Sequence, residues 1–98
     1  MNKEYAKMCV GQGWHGLVDE AFDLAEKENF QVTQIKEKYG SLRIYTDFLS
    51  EEQDKALTKL ENRSFTMCQG CGVAAEAKTV RGWITVLCDS CRKINDAL

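Results

Sequence analysis

Apolar positions recur along the first part of the chain with helical spacing. After a loop around Gly11-Gln12-Gly13 they fall at Trp14, Leu17, Val18, Ala21, Phe22 and Ala25, intervals that line one face of a helix. The opposite face holds Asp19, Glu20, Asp23, Glu26 and Glu28, with Lys27 to offset them. The period then shortens. Residues 30–38 and 42–48, rich in β-branched and aromatic residues, flank Tyr39-Gly40-Ser41 and predict a β-hairpin turning on a glycine that takes a positive φ. Within its second strand Leu42, Ile44, Thr46 and Phe48 alternate with Arg43, Tyr45 and Asp47, so the first set should cover the helix and the second should meet solvent.

Ser50-Glu51-Glu52-Gln53 then reads as a capping box. It starts a helix that should run to about Asn62 and bury Ala56, Leu57 and Leu60. The resulting α-β-β-α unit spans residues 1–63. A cysteine-rich segment follows at 64–98, the two parts being expected to pack as one compact α+β domain.

Cys68-Gln69-Gly70-Cys71-Gly72 and Cys88-Asp89-Ser90-Cys91 form the spacing C-x2-C-x16-C-x2-C. Each two-residue gap lets a tight turn aim two sulfurs at one ion about 2.3 Å away, and two such turns supply four corners of a tetrahedron. Gly72 favours the first turn, because a residue without a Cβ lets backbone amides approach sulfur. Residues 73–80 and 83–87 predict a second hairpin around Arg81-Gly82, and residues 92–98 a short helix whose start carries Cys88 and Cys91. Knuckle, hairpin and helix in that order suggest a treble-clef-like arrangement, with a plain zinc ribbon as the close alternative. Four cysteines close the coordination shell, which identifies the expected Zn2+ as structural, since catalytic zinc keeps a position open for water. Thiol oxidoreductases also use C-x-x-C, but there a single motif at a helix start suffices.

The chain has 98 residues, 44% hydrophobic and 29% charged, the size and balance of one small globular domain. Its net charge of -2 and pI near 5.4 argue against a protein whose main task is to neutralise many phosphates. Residues 1–63 carry nine Lys or Arg against twelve Asp or Glu, and residues 64–98 four against three. Four thiolates and one Zn(II) would leave the second part slightly negative as well. Met1 to Val10 has no apolar stretch of the kind that marks a secretory signal, and no run is long enough to cross a bilayer. A cytoplasmic location is therefore expected, where thiols stay reduced and available to metal.

Other residues invite chemical readings. His15, the one histidine, lacks a neighbouring nucleophile or carboxylate and reads as a capping or packing residue. Cys9 reads as a small apolar side chain. Gly11-Gln12-Gly13-Trp14 lacks both the preceding strand and the lysine of a phosphate loop. No catalytic residue and no small-molecule substrate is indicated, so the protein is expected not to be an enzyme. Candidate partner-binding residues fall in three groups: Asp19, Glu20 and Asp23 on the acidic helix; Lys36, Arg43 and Tyr45, with Lys38 and Tyr39, on the first hairpin; and Arg81 with Trp83 on the second. The first group reads foremost as a solvated face, and otherwise as a surface for a basic partner. Aromatic and cationic groups together on the first hairpin could stack on and neutralise single-stranded nucleic acid, or form an ordinary strand surface. Trp83 is an exposed anchor or a residue packed on the knuckle.

The phrase Gln34-Ile35-Lys36-Glu37-Lys38-Tyr39-Gly40-Ser41-Leu42-Arg43-Ile44-Tyr45, preceded by Gly13-Trp14-His15 and followed by the two C-x-x-C pairs with Gly82-Trp83 between them, resembles a family of small zinc-binding proteins of bacteriophages and prophages. The resemblance covers residues 11–93, and Ser41 departs from it where a second glycine is expected. It implies an accessory protein acting in a bacterial cytoplasm. The family has no assigned biochemical activity, and small acidic phage proteins often bind a host protein, including components of antiviral defence. The leading expectation is a non-enzymatic, zinc-stabilised protein that binds a host protein, with a nucleic-acid-binding module as the alternative.

Overall fold

The computed structural model describes residues 1–97, so Leu98, the last residue of the predicted terminal helix, lies outside the described residues. The chain is a mixed α+β fold with four α-helices and two antiparallel two-stranded sheets among the described residues. Helices α1 (Lys3–Met8) and α2 (His15–Glu28) come first, with a 3-10 turn at Gln12–Trp14 between them. Strands β1 (Val32–Lys38) and β2 (Ser41–Thr46) follow, then α3 (Glu51–Ser64), β3 (Glu76–Val80), β4 (Trp83–Leu87) and α4 (Asp89–Ala97). No described helix is long and apolar enough to cross a membrane.

Helix α1 was not expected from the sequence. Asn2 caps it by accepting from the Tyr5 amide at 2.7 Å, and Ala6 alone is buried, too little apolar surface to write a periodic stripe. The predicted face of α2 is the observed one, with Leu17, Val18, Ala21 and Ala25 buried and Phe22 half-buried. Trp14, expected on the same stripe, is wholly buried but belongs to the preceding 3-10 turn.

The first hairpin turns on Tyr39 and Gly40, whose φ values of 53° and 74° are both positive, as a two-residue type I′ turn requires. Its strands are shorter than the sequence suggests. Asp47 closes the open end, its amide bonding the Gln31 carbonyl and its Oδ1 accepting from the Gln31 amide. Phe48, expected on the covered face, lies past that closure and is fully exposed. Leu42 and Ile35 are completely buried beneath α2 and α3, together with Trp14, Leu17, Val32, Leu57 and Leu60.

Helix α3 starts with the predicted capping box, both hydrogen bonds of which are formed between Ser50 and Gln53. It runs two residues beyond Asn62, and Ala56 is only half-buried. Its C-terminal end serves β2 directly. Ser64 Oγ accepts from the Leu42 amide at 2.9 Å, and Glu61 Oε2 accepts from the Ile44 amide at 2.8 Å. Two side chains thus satisfy the sheet edge that a third strand would otherwise pair.

Candidate metal centre

The first sulfur pair is set by a knuckle. The Cys68 amide donates to the Val73 carbonyl at 2.7 Å, the Gly72 amide to the Cys68 carbonyl at 2.9 Å, and Gly72 takes a φ of 87° that favours glycine. Residues 73–75, expected at the start of β3, instead close this turn, with Met67 and Ala74 forming an isolated bridge, so β3 begins only at Glu76. The second hairpin turns on Arg81 and Gly82, both at positive φ, and β4 delivers the chain to Cys88. Helix α4 begins at Asp89, so its first turn holds Cys91.

The four Sγ atoms of Cys68, Cys71, Cys88 and Cys91 all lie within 4.8 Å of one another. A regular tetrahedron with metal–sulfur bonds of about 2.3 Å has edges of about 3.8 Å. Cys71 and Cys88 are 3.7 Å apart, so the sulfurs stand where a single metal ion such as zinc could be held. Gly70 keeps the space open: a Cβ there would lie 2.9 Å from Cys91 Sγ.

Electrostatics in the cluster are divided. Burial pushes the Cys68 thiol up, but the amides of Cys88, Cys71 and Gly70 and the Cys91 thiol outweigh it and bring it down to about 6. For Cys71 the Val73 amide pulls downward, while partial burial and the sulfurs of Cys68 and Cys88 prevail and raise it. Cys91 is pushed up to about 12 by Cys88 first, then by Cys68 and Cys71. One thiolate is therefore ready at neutral pH, and its charge makes others around it costly. A divalent cation removes that conflict, because it attracts every thiolate at once.

The knuckle is supported by residues whose role the sequence did not reveal. The Gly13 amide donates to the Gln69 carbonyl at 2.9 Å, and the Trp14 indole Nε1–H donates to the Met67 carbonyl at 2.8 Å. A Cβ on Gly11 or Gly13 would collide with the carbonyl oxygens of Gln69 and Cys68 respectively. The glycine loop thus serves as a close backbone seat for the knuckle. Gln69 also clamps β4: its amide donates to the Val86 carbonyl at 2.8 Å and its Oε1 accepts from the Val86 amide at 2.7 Å.

The remaining candidates are dispersed. His15 Nε2 donates to the Lys7 carbonyl at 2.8 Å, tying α2 to α1. Cys9 stands apart from the sulfur cluster and its thiol reaches the Tyr5 carbonyl. Asp19 is paired with Lys7 at 2.8 Å and with Lys3 at 3.8 Å, and Glu20 with Arg63 at 2.8 Å, so two of the three acidic candidates already have partners within the chain. Asp23 borders a groove with Lys3 and Phe30. Lys36 lies over the Tyr45 ring, Lys38 over the Tyr39 ring, and Arg43 Nε donates to Ser41 Oγ. Trp83 does not pack on the knuckle; it is 76% exposed, beside exposed Arg81. No protein-family model matches the chain, and no curated protein or solved structure matches it.

Proposed function

We propose that this is a non-enzymatic, zinc-stabilised binding protein of phage or prophage origin that works in a bacterial cytoplasm by occupying a surface of a host protein, such as a defence component. The observation that carries the reading is the pairing of a four-sulfur cluster with a hairpin that leaves Trp83 exposed. Zinc suits the donor set, since four thiolates at these separations favour a tetrahedral ion, and a multi-iron cluster would need the sulfurs further apart. The order knuckle, hairpin, helix supports a treble-clef-like segment over a plain ribbon. Metal then contributes about 10 to 16 kcal/mol to the folding of residues that bury few side chains of their own. A closed sulfur shell offers no position for substrate, while an exposed aromatic held on a metal-braced hairpin has the character of an interface anchor.

The nucleic-acid reading is favoured by one observation. Lys36, Lys38 and Arg43 share the solvent side of the first hairpin with Tyr45, and no described carboxylate pairs with them. Affinity capture from a bacterial lysate, run beside an electrophoretic mobility shift with single-stranded oligonucleotides at low and high salt, separates the two. Stoichiometric capture of one host protein by the zinc-loaded chain, lost after chelation, supports the leading reading. A mobility shift that weakens steeply with salt, without protein capture, contradicts it.

A further inference from the structure

The two hairpins meet at their tips. Gly40, in the first turn, rests on Ile84 of β4 so closely that a Cβ would lie 2.7 Å from Ile84 Cγ2. An open cleft of about 390 Å³ lies between the tips, lined by Glu37, Lys38, Tyr39, Gly82, Trp83 and Ile84. Tyr39 is 69% exposed there, and both turns have the positive φ pair of a two-residue type I′ turn, which sets the backbone under the two aromatic side chains and leaves their rings uncovered. Large aromatic side chains left in water forgo the burial that the fold gives to Trp14.

Charge gives the cleft a direction. Lys36 stands directly opposite Arg43 in the ladder, a like-charge pair that weakens strand pairing. Neither these two nor Lys38 has a carboxylate partner among the described residues, whereas Asp19 and Glu20 on α2 are neutralised by the chain's own cations. Glu37 also lines the cleft, its Oε1 already accepting from the Gly40 amide, and against this one carboxylate stand Lys38 in the lining and Lys36 and Arg43 further along the hairpin, so the balance beside the aromatic pair is positive. Resting on the binding-protein reading above, we infer that this cleft is the docking site for an acidic, apolar segment of a partner protein. Tyr39 and Trp83 take up its apolar side chains, Lys38 meets its carboxylates at the cleft, and Lys36 and Arg43 meet those that run on along the first hairpin. A nucleic acid fits less well, because the Glu37 carboxylate on the cleft wall would oppose its phosphates and the chain as a whole is negative.

A random peptide library selected against the zinc-loaded protein tests this. Peptides enriched in Asp and Glu beside Leu, Phe or Tyr are expected, with affinity falling by at least about thirtyfold in Trp83→Ala. A smaller loss is expected in Lys38→Glu and at high salt. Both side chains are exposed, so amide NMR spectra of the zinc-loaded variants should differ from the parent only near the tips. Enrichment of basic peptides, binding indifferent to Trp83→Ala, or no bound peptide overturns the assignment. Binding of single-stranded oligothymidine that Trp83→Ala abolishes overturns it in favour of nucleic acid. Capture of a host protein that survives Trp83→Ala but is lost in Asp23→Lys overturns the cleft and leaves the binding-protein reading standing.

Discussion

A methyl group at Gly13 would run into the Cys68 carbonyl oxygen and lie 2.5 Å from the Gly72 nitrogen, both backbone atoms of the metal knuckle. Neither can rotate away. Gly13→Ala should therefore destabilise the protein by about 1 to 3 kcal/mol and weaken zinc affinity, checked by denaturant unfolding and chelator competition. Gly16→Ala is the matched control, since a Cβ at that position of α2 meets nothing within 4 Å and should stabilise by about 0.5 to 1 kcal/mol. The cysteines give a prediction in pH. Cys71 and Cys91 sit above their usual value and hold protons at neutral pH, so zinc must displace at least those two. Zinc affinity should rise with pH, and log affinity should gain at least two units per pH unit through the neutral range. Below about 6 the slope should steepen by one as Cys68, depressed to that value, also takes up a proton. Competition against a chelator across pH measures it; an affinity flat between pH 6 and 8 contradicts it.

Strand β2 depends on α3 for the hydrogen bonds its free edge lacks. Ser64→Ala would leave the buried Leu42 amide without an acceptor, a loss of about 1 to 3 kcal/mol in thermal or denaturant unfolding. Hydrogen exchange should show that amide opening faster, with the capping box at Ser50 unaffected. Elements with a strong local rule were the ones legible in the chain: the α2 stripe, the Ser50 to Gln53 box, and both hairpin turns, each marked by a glycine between two strand patterns. Elements without a periodic stripe or a pattern of their own were not. Helix α1 depends on the Asn2 cap and one buried alanine, Phe48 is cut off from its strand by the Asp47 closure, and residues 73–75 serve the knuckle in preference to β3. For Phe48 and for residues 73–75, hydrogen bonding outside the strand pairing outweighed a β pattern that was locally plausible.

At the scale of the molecule, the sulfur cluster was readable from spacing alone, because two short turns suffice to bring each pair together. Its support was not. The Trp14 to Met67 hydrogen bond joins residues 53 apart, and no periodicity links a glycine loop near the N-terminus to a knuckle near the other end. The sequence likewise showed charges without showing which of them the fold pairs, so Asp19 and Glu20 looked as available as Lys36 and Arg43. Metal should matter in a graded way across this layout. The core around Trp14, Leu17, Ile35 and Leu42 has apolar burial of its own, whereas every residue of β3 is exposed and β4 buries only Val86 fully. Cys88→Ser should therefore disorder the residues beyond α3 and leave the α2–hairpin–α3 core folded, read by circular dichroism and amide NMR. The most direct measurement is an amide NMR titration of the chelated protein with zinc. Collapsed signals are expected for the residues beyond α3, regaining full dispersion at one equivalent and changing no further; full dispersion in the chelated protein, indifferent to added zinc, would contradict a metal-dependent fold.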